Sequence, residues 1–197
     1  VSYQDLEVFK NQLFAEMKDM SYRDRSETAI DGSSEILWSK GPSYSIIPFE
    51  LEMSGVAPSV TTSKEPSAKK NAQKLDLCNG KVSSIEYFNA HGVVHELEKF
   101  FYSENRCVSV KTNNHGEDLW LKMSELEMGK TARAGRVDFD SEFWTFRYDW
   151  EESTVREITT FCSNSLPGVV IYPEYDDAKL KRLYFLNEGK PVNVFEG

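Results

Sequence analysis

The sequence predicts an α+β domain: one amphipathic N-terminal helix packed on a long antiparallel β-meander that can curl into a half-barrel. Three observations predict it. Apolar residues recur at steps of three and four near the N-terminus. From Leu75 onward, turn-forming residues arrive at the short intervals of an all-β region. A hairpin-like phrase with apolar residues three apart also recurs, as Lys81-Val82…Ile85…Phe88-Asn89, Thr154-Val155…Ile158…Phe161 and Lys179-Leu180…Leu183…Leu186-Asn187.

Leu6, Phe9, Leu13, Met17 and Met20 form the helical stripe, with Glu7, Lys10, Asn11, Lys18 and Asp19 toward water. Ser2 and Asp5 suit its N-terminal cap and positive end. After the polar run 22–34, Ile36-Leu37-Trp38 and the segment 44–53 read as extended. In the second, Ile47, Phe49, Leu51 and Met53 alternate with Glu50 and Glu52, and Pro48 implies an edge or a bulge. Residues 54–74 lack large apolar side chains and predict a surface excursion with a short helix over 67–75.

The meander occupies 75–197 of a single domain spanning 1–197, with the helix and first strands in 1–53. Asn79-Gly80 is its strongest turn, because a primed two-residue hairpin needs positive φ at both positions. Candidate strands are 81–88, 93–102, 106–111, 143–150, 154–161, 169–172, 179–186 and 192–195. Their loops are too short for parallel crossovers. Residues 118–128 stay open: Leu119, Met123 and Leu126 suit a helix, whereas Leu119, Leu121 and Met123 suit a strand.

A 40% hydrophobic content with 13% aromatic residues argues against disorder, and no apolar run is long enough for a membrane helix. The first residues lack the basic and apolar blocks of a secretory signal, and three widely spaced cysteines make a poor disulfide framework. The expectation is a cytoplasmic protein with free thiols and no membrane partner. A formal charge of −9 opposes binding to nucleic acid. The charge is uneven, however. Six carboxylates face one Arg147 between Asp138 and Glu152, whereas residues 54–74 hold four lysines and one glutamate.

No motif spells out a reaction. Gly129-Lys130-Thr131 lacks the earlier glycine of a phosphate loop, since Ser124 stands there; Lys130, Arg133 and Arg136 read instead as a solvated basic loop. His91, His95 and His115 close no ligand set with Cys78, Glu96 or Glu98. Asp138-Phe139-Asp140 places two acids on one strand face without a second cluster to complete acid–base or cation chemistry. Trp144, Phe146, Tyr148 and Trp150 alternate along one strand, as packing residues or as a recognition stripe bordered by carboxylates.

The phrases Tyr148-Asp149…Thr154-Val155-Arg156-Glu157-Ile158 and Tyr175-Asp176…Lys179-Leu180-Lys181-Arg182-Leu183 resemble degenerate tyrosine–aspartate hairpin repeats of bacterial polymorphic-toxin systems. They cover about the last fifty residues, and the glycine of those repeats is missing from both. A small acidic β-rich domain with one leading helix is also similar to the immunity proteins of such systems. That resemblance implies a cytoplasmic inhibitor that masks a toxin domain with a basic surface, without catalytic residues, metal or cofactor. The expected interface is Asp138, Asp140, Glu142, Asp149, Glu151 and Glu152, with Tyr148 and Trp150 as anchors. Two other readings remain: a hydrolase with carboxylates and a histidine gathered from several strands, and a structural domain associating through a strand edge.

Overall fold

The computed structural model describes residues 3–19, 34–164 and 168–197. The chain order is α1 (Gln4–Asp19), β1 (Ser34–Ser39), α2 (Glu50–Met53), β2 (Gln73–Cys78), β3 (Lys81–Phe88), β4 (Val94–Tyr102), β5 (Arg106–Asn113), β6 (Asp118–Glu127), β7 (Lys130–Asp138), β8 (Phe143–Glu151), β9 (Thr154–Cys162), β10 (Val170–Asp176), β11 (Lys179–Asn187) and β12 (Lys190–Glu196). Among the described residues the twelve strands form one sheet in sequence order, every pair antiparallel, and the sheet does not close into a barrel. Ser2, Met20 and most of the polar run lie outside the described residues. No helix among the described residues is long and apolar enough to cross a membrane.

The sheet is strongly curled. The segment between Ser43 and Met53 reaches from β2, where the Ser43 hydroxyl donates to Gln73 Oε1 at 3.3 Å, to β12, against which α2 packs. A flat sheet would hold those strands about 48 Å apart, beyond the roughly 35 Å that ten extended residues span. The sheet therefore wraps around this segment, which fills its concave face as a plug. Ile46 and Ile47 of the plug enter the main core with Leu75, Ile85, Phe100, Phe146, Tyr148, Ile158 and Leu183.

The other face carries α1. Leu6, Phe9 and Leu13 are fully buried, and Phe9 and Leu13 pack on Val108, Val110, Leu121, Met123 and Val137. Gly135 of β7 is what lets the helix approach: a Cβ there would stand 2.8 Å from Leu13 Cδ1 and 2.7 Å from Trp144 O. Asp5 and Glu16 add ion pairs to Arg133 at 2.6 Å and Arg106 at 2.8 Å.

Three expectations need correction, and the open reading of 118–128 resolves to a strand. Residues 44–53 are not extended. The Ser45 hydroxyl takes the Ile47 N–H, Pro48 offers no ladder donor, and Phe49 turns into the left-handed region at φ 61°, after which α2 makes one turn. The short helix over 67–75 does not form, because Gln73–Cys78 pairs as β2 between β1 and β3. Residues 118–127 are strand β6, with Leu121 and Met123 buried on the helix face and Lys122 on the concave face. Lys130, Arg133 and Arg136 are not a loop but β7, a strand whose arginines are held by carboxylates and rings instead of by apolar packing.

Regular hairpins give the meander a hidden period. The turns at one end begin near Asn79, Ser103, Met128, Glu152 and Asp177, at intervals of 24 or 25 residues. At the opposite end, three five-residue turns share one hydrogen-bond scheme. The N–H of Asn89, Asn113 and Asp138 donates to the carbonyls of Val93, Glu117 and Glu142, and Gly92, Gly116 and Ser141 take positive φ.

Candidate functional site

Two groups of polar residues stand out, one inside the curl and one on its end. Inside, the concave face of β3 to β8 holds Tyr87, Glu96, Glu98, Lys111, Trp120, Lys122, Arg136, Asp138 and Trp144, and the plug adds Glu50. Lys111 lies between the rings of Tyr87 and Trp120, 3.7 and 4.3 Å from their centroids, and pairs with Glu96. Lys122 donates to Glu50 Oε2 at 2.7 Å, and Arg136 stacks on Trp144 at 4.2 Å. Glu98, 2% exposed, accepts from the Tyr87 hydroxyl at 2.5 Å and the Ser109 hydroxyl at 2.6 Å. The Ser45 hydroxyl donates to Glu50 at 2.5 Å.

The electrostatics of this network are those of an anchor. Burial lowers Lys111 below the usual lysine range despite Glu96 and Glu98. Burial also works against charged Lys122, yet Glu98 and Glu50 outweigh it and leave it raised. Tyr87 and Tyr148 are pushed well up by burial and keep their protons. Glu50 and Glu98 each accept hydrogen bonds on the sheet or plug, so their chemistry is to tie plug to sheet. The Trp120 indole N–H is buried without an acceptor among the described residues.

The histidines do not assemble a reactive centre. His91 and His115 are exposed on two different turns, and His95 is tied through Nδ1 to Tyr87 O at 2.9 Å. Among the described residues no group of histidines, cysteines and acids has metal-holding geometry. Cys78, Cys107 and Cys162 form no disulfide among the described residues, and burial pushes the Cys107 thiol up to about 12, which keeps it protonated and unreactive. Gly129-Lys130-Thr131 is the β6–β7 turn, where the Lys130 ammonium caps the Glu152 carbonyl.

The predicted interface is divided by the fold. Asp140 and Glu142 are exposed on the β7–β8 turn, and Asp138 beside them stands 3.2 Å from Arg136 Nε. Asp149, Glu151 and Glu152 stand at the other end of β8, roughly 30 Å away at strand rise. Asp149 is paired with Arg156. Tyr148 is no anchor. It is 5% exposed in the main core, and its hydroxyl donates to Pro48 O at 2.9 Å, which locks the plug. Trp150 is half-buried, with its indole N–H on Thr131 O at 2.7 Å and Lys130 over its ring.

What the fold does bring together is a set of hairpin tips. In an antiparallel meander every second turn lies at the same end, about 10 Å from the next. Glu127 on the β6–β7 tip, Glu151 and Glu152 on the β8–β9 tip, and Asp176 and Asp177 on the β10–β11 tip therefore share one rim, all exposed. None of these five carboxylates has an ion-pair partner among the described residues. Met128, fully exposed, caps the first of these tips. Glu127, Met128, Asp176 and Asp177 are absent from the predicted interface; the 24- or 25-residue spacing of the turns is the signal that points to them.

Comparison with protein-family models, with curated proteins and with solved structures finds no match to this chain.

Proposed function

We propose that this chain is a binding protein that acts by covering a protein partner, in the manner of the immunity proteins of toxin systems, and that the acidic rim is the surface it offers. One observation carries the reading: five exposed carboxylates, none in an ion pair among the described residues, on three adjacent hairpin tips with an exposed methionine among them. Tips of a continuous sheet are held in register by their own strands, so the charges are preorganised and little ordering entropy is lost on binding. Unpaired surface acids steer a basic partner and fix its orientation, while Met128 supplies adaptable apolar contact. The partner chemistry that fits is a lysine- and arginine-rich toxin domain. Its cations would replace the water that now solvates the rim.

The test is to isolate the partner by pull-down with this chain, reverse Glu127, Glu151, Asp176 and Asp177 to lysine, and follow association with that partner. The association rate should fall at least tenfold at low salt, and its dependence on ionic strength should flatten. Unchanged rate and salt dependence would remove the rim from the interface. Turnover of a small substrate by the purified chain, lost on replacing one polar side chain, would overturn the binding reading itself.

A further inference from the structure

We infer that the groove between the end of β1 and the 59–68 excursion is a docking site for a short acidic peptide segment that also carries an apolar side chain. The groove encloses about 760 Å³ and lies between Trp38–Lys40 on one side and Ser59–Ala68 on the other. That volume falls in the range of ligand-binding clefts.

The walls are fixed. Trp38 and Thr62 exchange both backbone hydrogen bonds, at 2.7 and 2.8 Å, and Ser59 N–H donates to Pro42 O at 2.7 Å. Gly41 sits so close that a Cβ there would meet Ser59 Oγ at 2.8 Å. Lys69 braces two lining residues, paired with Glu65 at 2.7 Å and lying over the ring of Trp38 as well as that of Phe88. A cleft built this way does not have to be ordered by its occupant.

Charge selects the occupant. In a chain of net charge −9, the stretch 54–74 is the lysine-rich exception, with four lysines against Glu65. Lys69 and Lys74 are spent in internal ion pairs. Lys40 and Lys64, both exposed on the groove, take part in no ion pair among the described residues. Beside them the lining offers the apolar side chains of Val60, Pro66 and Ala68 among Ser59, Thr62 and Ser67, with Val60 88% exposed. Two ammoniums beside exposed aliphatic side chains match a carboxylate next to an aliphatic side chain. Nucleic acid fits less well, because Trp38 is 5% exposed and offers no ring face to a base, and the rest of the chain repels phosphate. The groove lies at the opposite end of the strands from the acidic rim, so this inference stands apart from the proposed function.

The experiment titrates the full chain with four probes: a peptide alternating aspartate and leucine, one alternating lysine and leucine, an all-aspartate peptide and a ten-residue oligothymidylate. Shifts of the Trp38 indole N–H resonance are the readout, with the same titrations on the Lys40→Glu/Lys64→Glu variant. The aspartate–leucine peptide should shift Trp38 and lose at least fivefold in affinity in the variant, while the lysine–leucine peptide should leave Trp38 unmoved. Thermal melts of the variant should match the wild type, since both lysines are exposed. No shift with the aspartate–leucine peptide would overturn the inference, as would equal affinity for the all-aspartate peptide, tighter binding of the oligonucleotide, or Trp38 shifts that track chain concentration alone.

Discussion

Lys122 and Glu50, 72 residues apart in sequence, stand 2.7 Å from each other with side chains 7% and 13% exposed. This pair joins the floor of the curled sheet to the plug that fills it. Removing Lys122 leaves Glu50 with Arg136 at 3.7 Å and the Ser45 hydroxyl, and takes from the buried Glu98 the ammonium that stands 4.0 Å away. Lys122→Met should therefore cost about 3 kcal/mol. Lys122→Met combined with Glu50→Gln should recover only part of that loss, since Glu98 still lacks its lysine. Urea denaturation midpoints at constant slope check both.

Alkaline pH should unfold the chain through its interior. Burial raises the pKa of Tyr87 and Tyr148, and Glu98 with Glu50 raises Lys122 against the effect of its burial. For each of these groups the folded state binds more protons than the unfolded state once pH passes the unfolded value near 10. The stability they contribute is fully present below that pH and is lost as pH rises toward the folded values, by about 1.4 kcal/mol per pH unit and group. Lys111 opposes the trend, since its lowered pKa makes the unfolded state the better proton binder. Tyr148→Phe should cost about 1 kcal/mol at pH 7 through its lost bond to Pro48 O, and should make the fall above pH 10 shallower. Denaturation midpoints between pH 8 and 11 measure both effects.

Strands whose inward residues are apolar were legible in the sequence. β3 runs over Lys81–Phe88 as its pattern predicts, and Asn79-Gly80 adopts φ 50° and 75° as a primed turn requires. The strand reading failed on β7, which hides its alternation because Arg133 and Arg136 substitute ion pairs and ring stacking for apolar burial. β6 stayed open because Lys122 takes an interior place between Leu121 and Met123, whereas β4 and β5 were read as strands even though Glu98 and Lys111 are buried on them. The plug was illegible for another reason. Its alternating apolar pattern is genuine, but Pro48 and the Ser45 hydroxyl redirect the backbone before a ladder can form.

The candidate site was half legible. Counting charges along a continuous stretch grouped Asp140 with Glu152, although one strand length separates them. Residues adjacent on a rim are 24 or 25 positions apart in the chain, so topology and not local composition decides which acids act together.

Gly135 should tolerate no side chain. Its missing Cβ leaves room for Leu13 Cδ1 and the Trp144 carbonyl, which would otherwise stand at 2.8 and 2.7 Å. Leucine can shift but the backbone oxygen cannot do so without moving β8, so Gly135→Ala should cost about 1 to 3 kcal/mol by overpacking. The loss should appear as a lower melting temperature. Shortening Leu13 to alanine in the same chain should relieve part of the clash, so the double variant should be less destabilised than the two single costs add up to.

The two ends of β8 offer a controlled test of where a basic partner docks. Reversing Glu151 and Glu152 to lysine changes the net charge by the same amount as reversing Asp140 and Glu142, so any effect of the overall field on encounter is common to both variants. All four residues are exposed and take part in no ion pair among the described residues, so each double variant should stay within about 0.5 kcal/mol of wild-type stability. At 0.15 M salt the screening length is about 8 Å, far shorter than the strand between them, so each pair acts on its own end of the molecule. Partner association by stopped flow should slow several-fold more for Glu151→Lys/Glu152→Lys than for Asp140→Lys/Glu142→Lys, and the difference should shrink as salt is raised to 1 M. Equal slowing would mean the partner senses only net charge, and greater slowing in the second variant would move the interface to the β7–β8 turn.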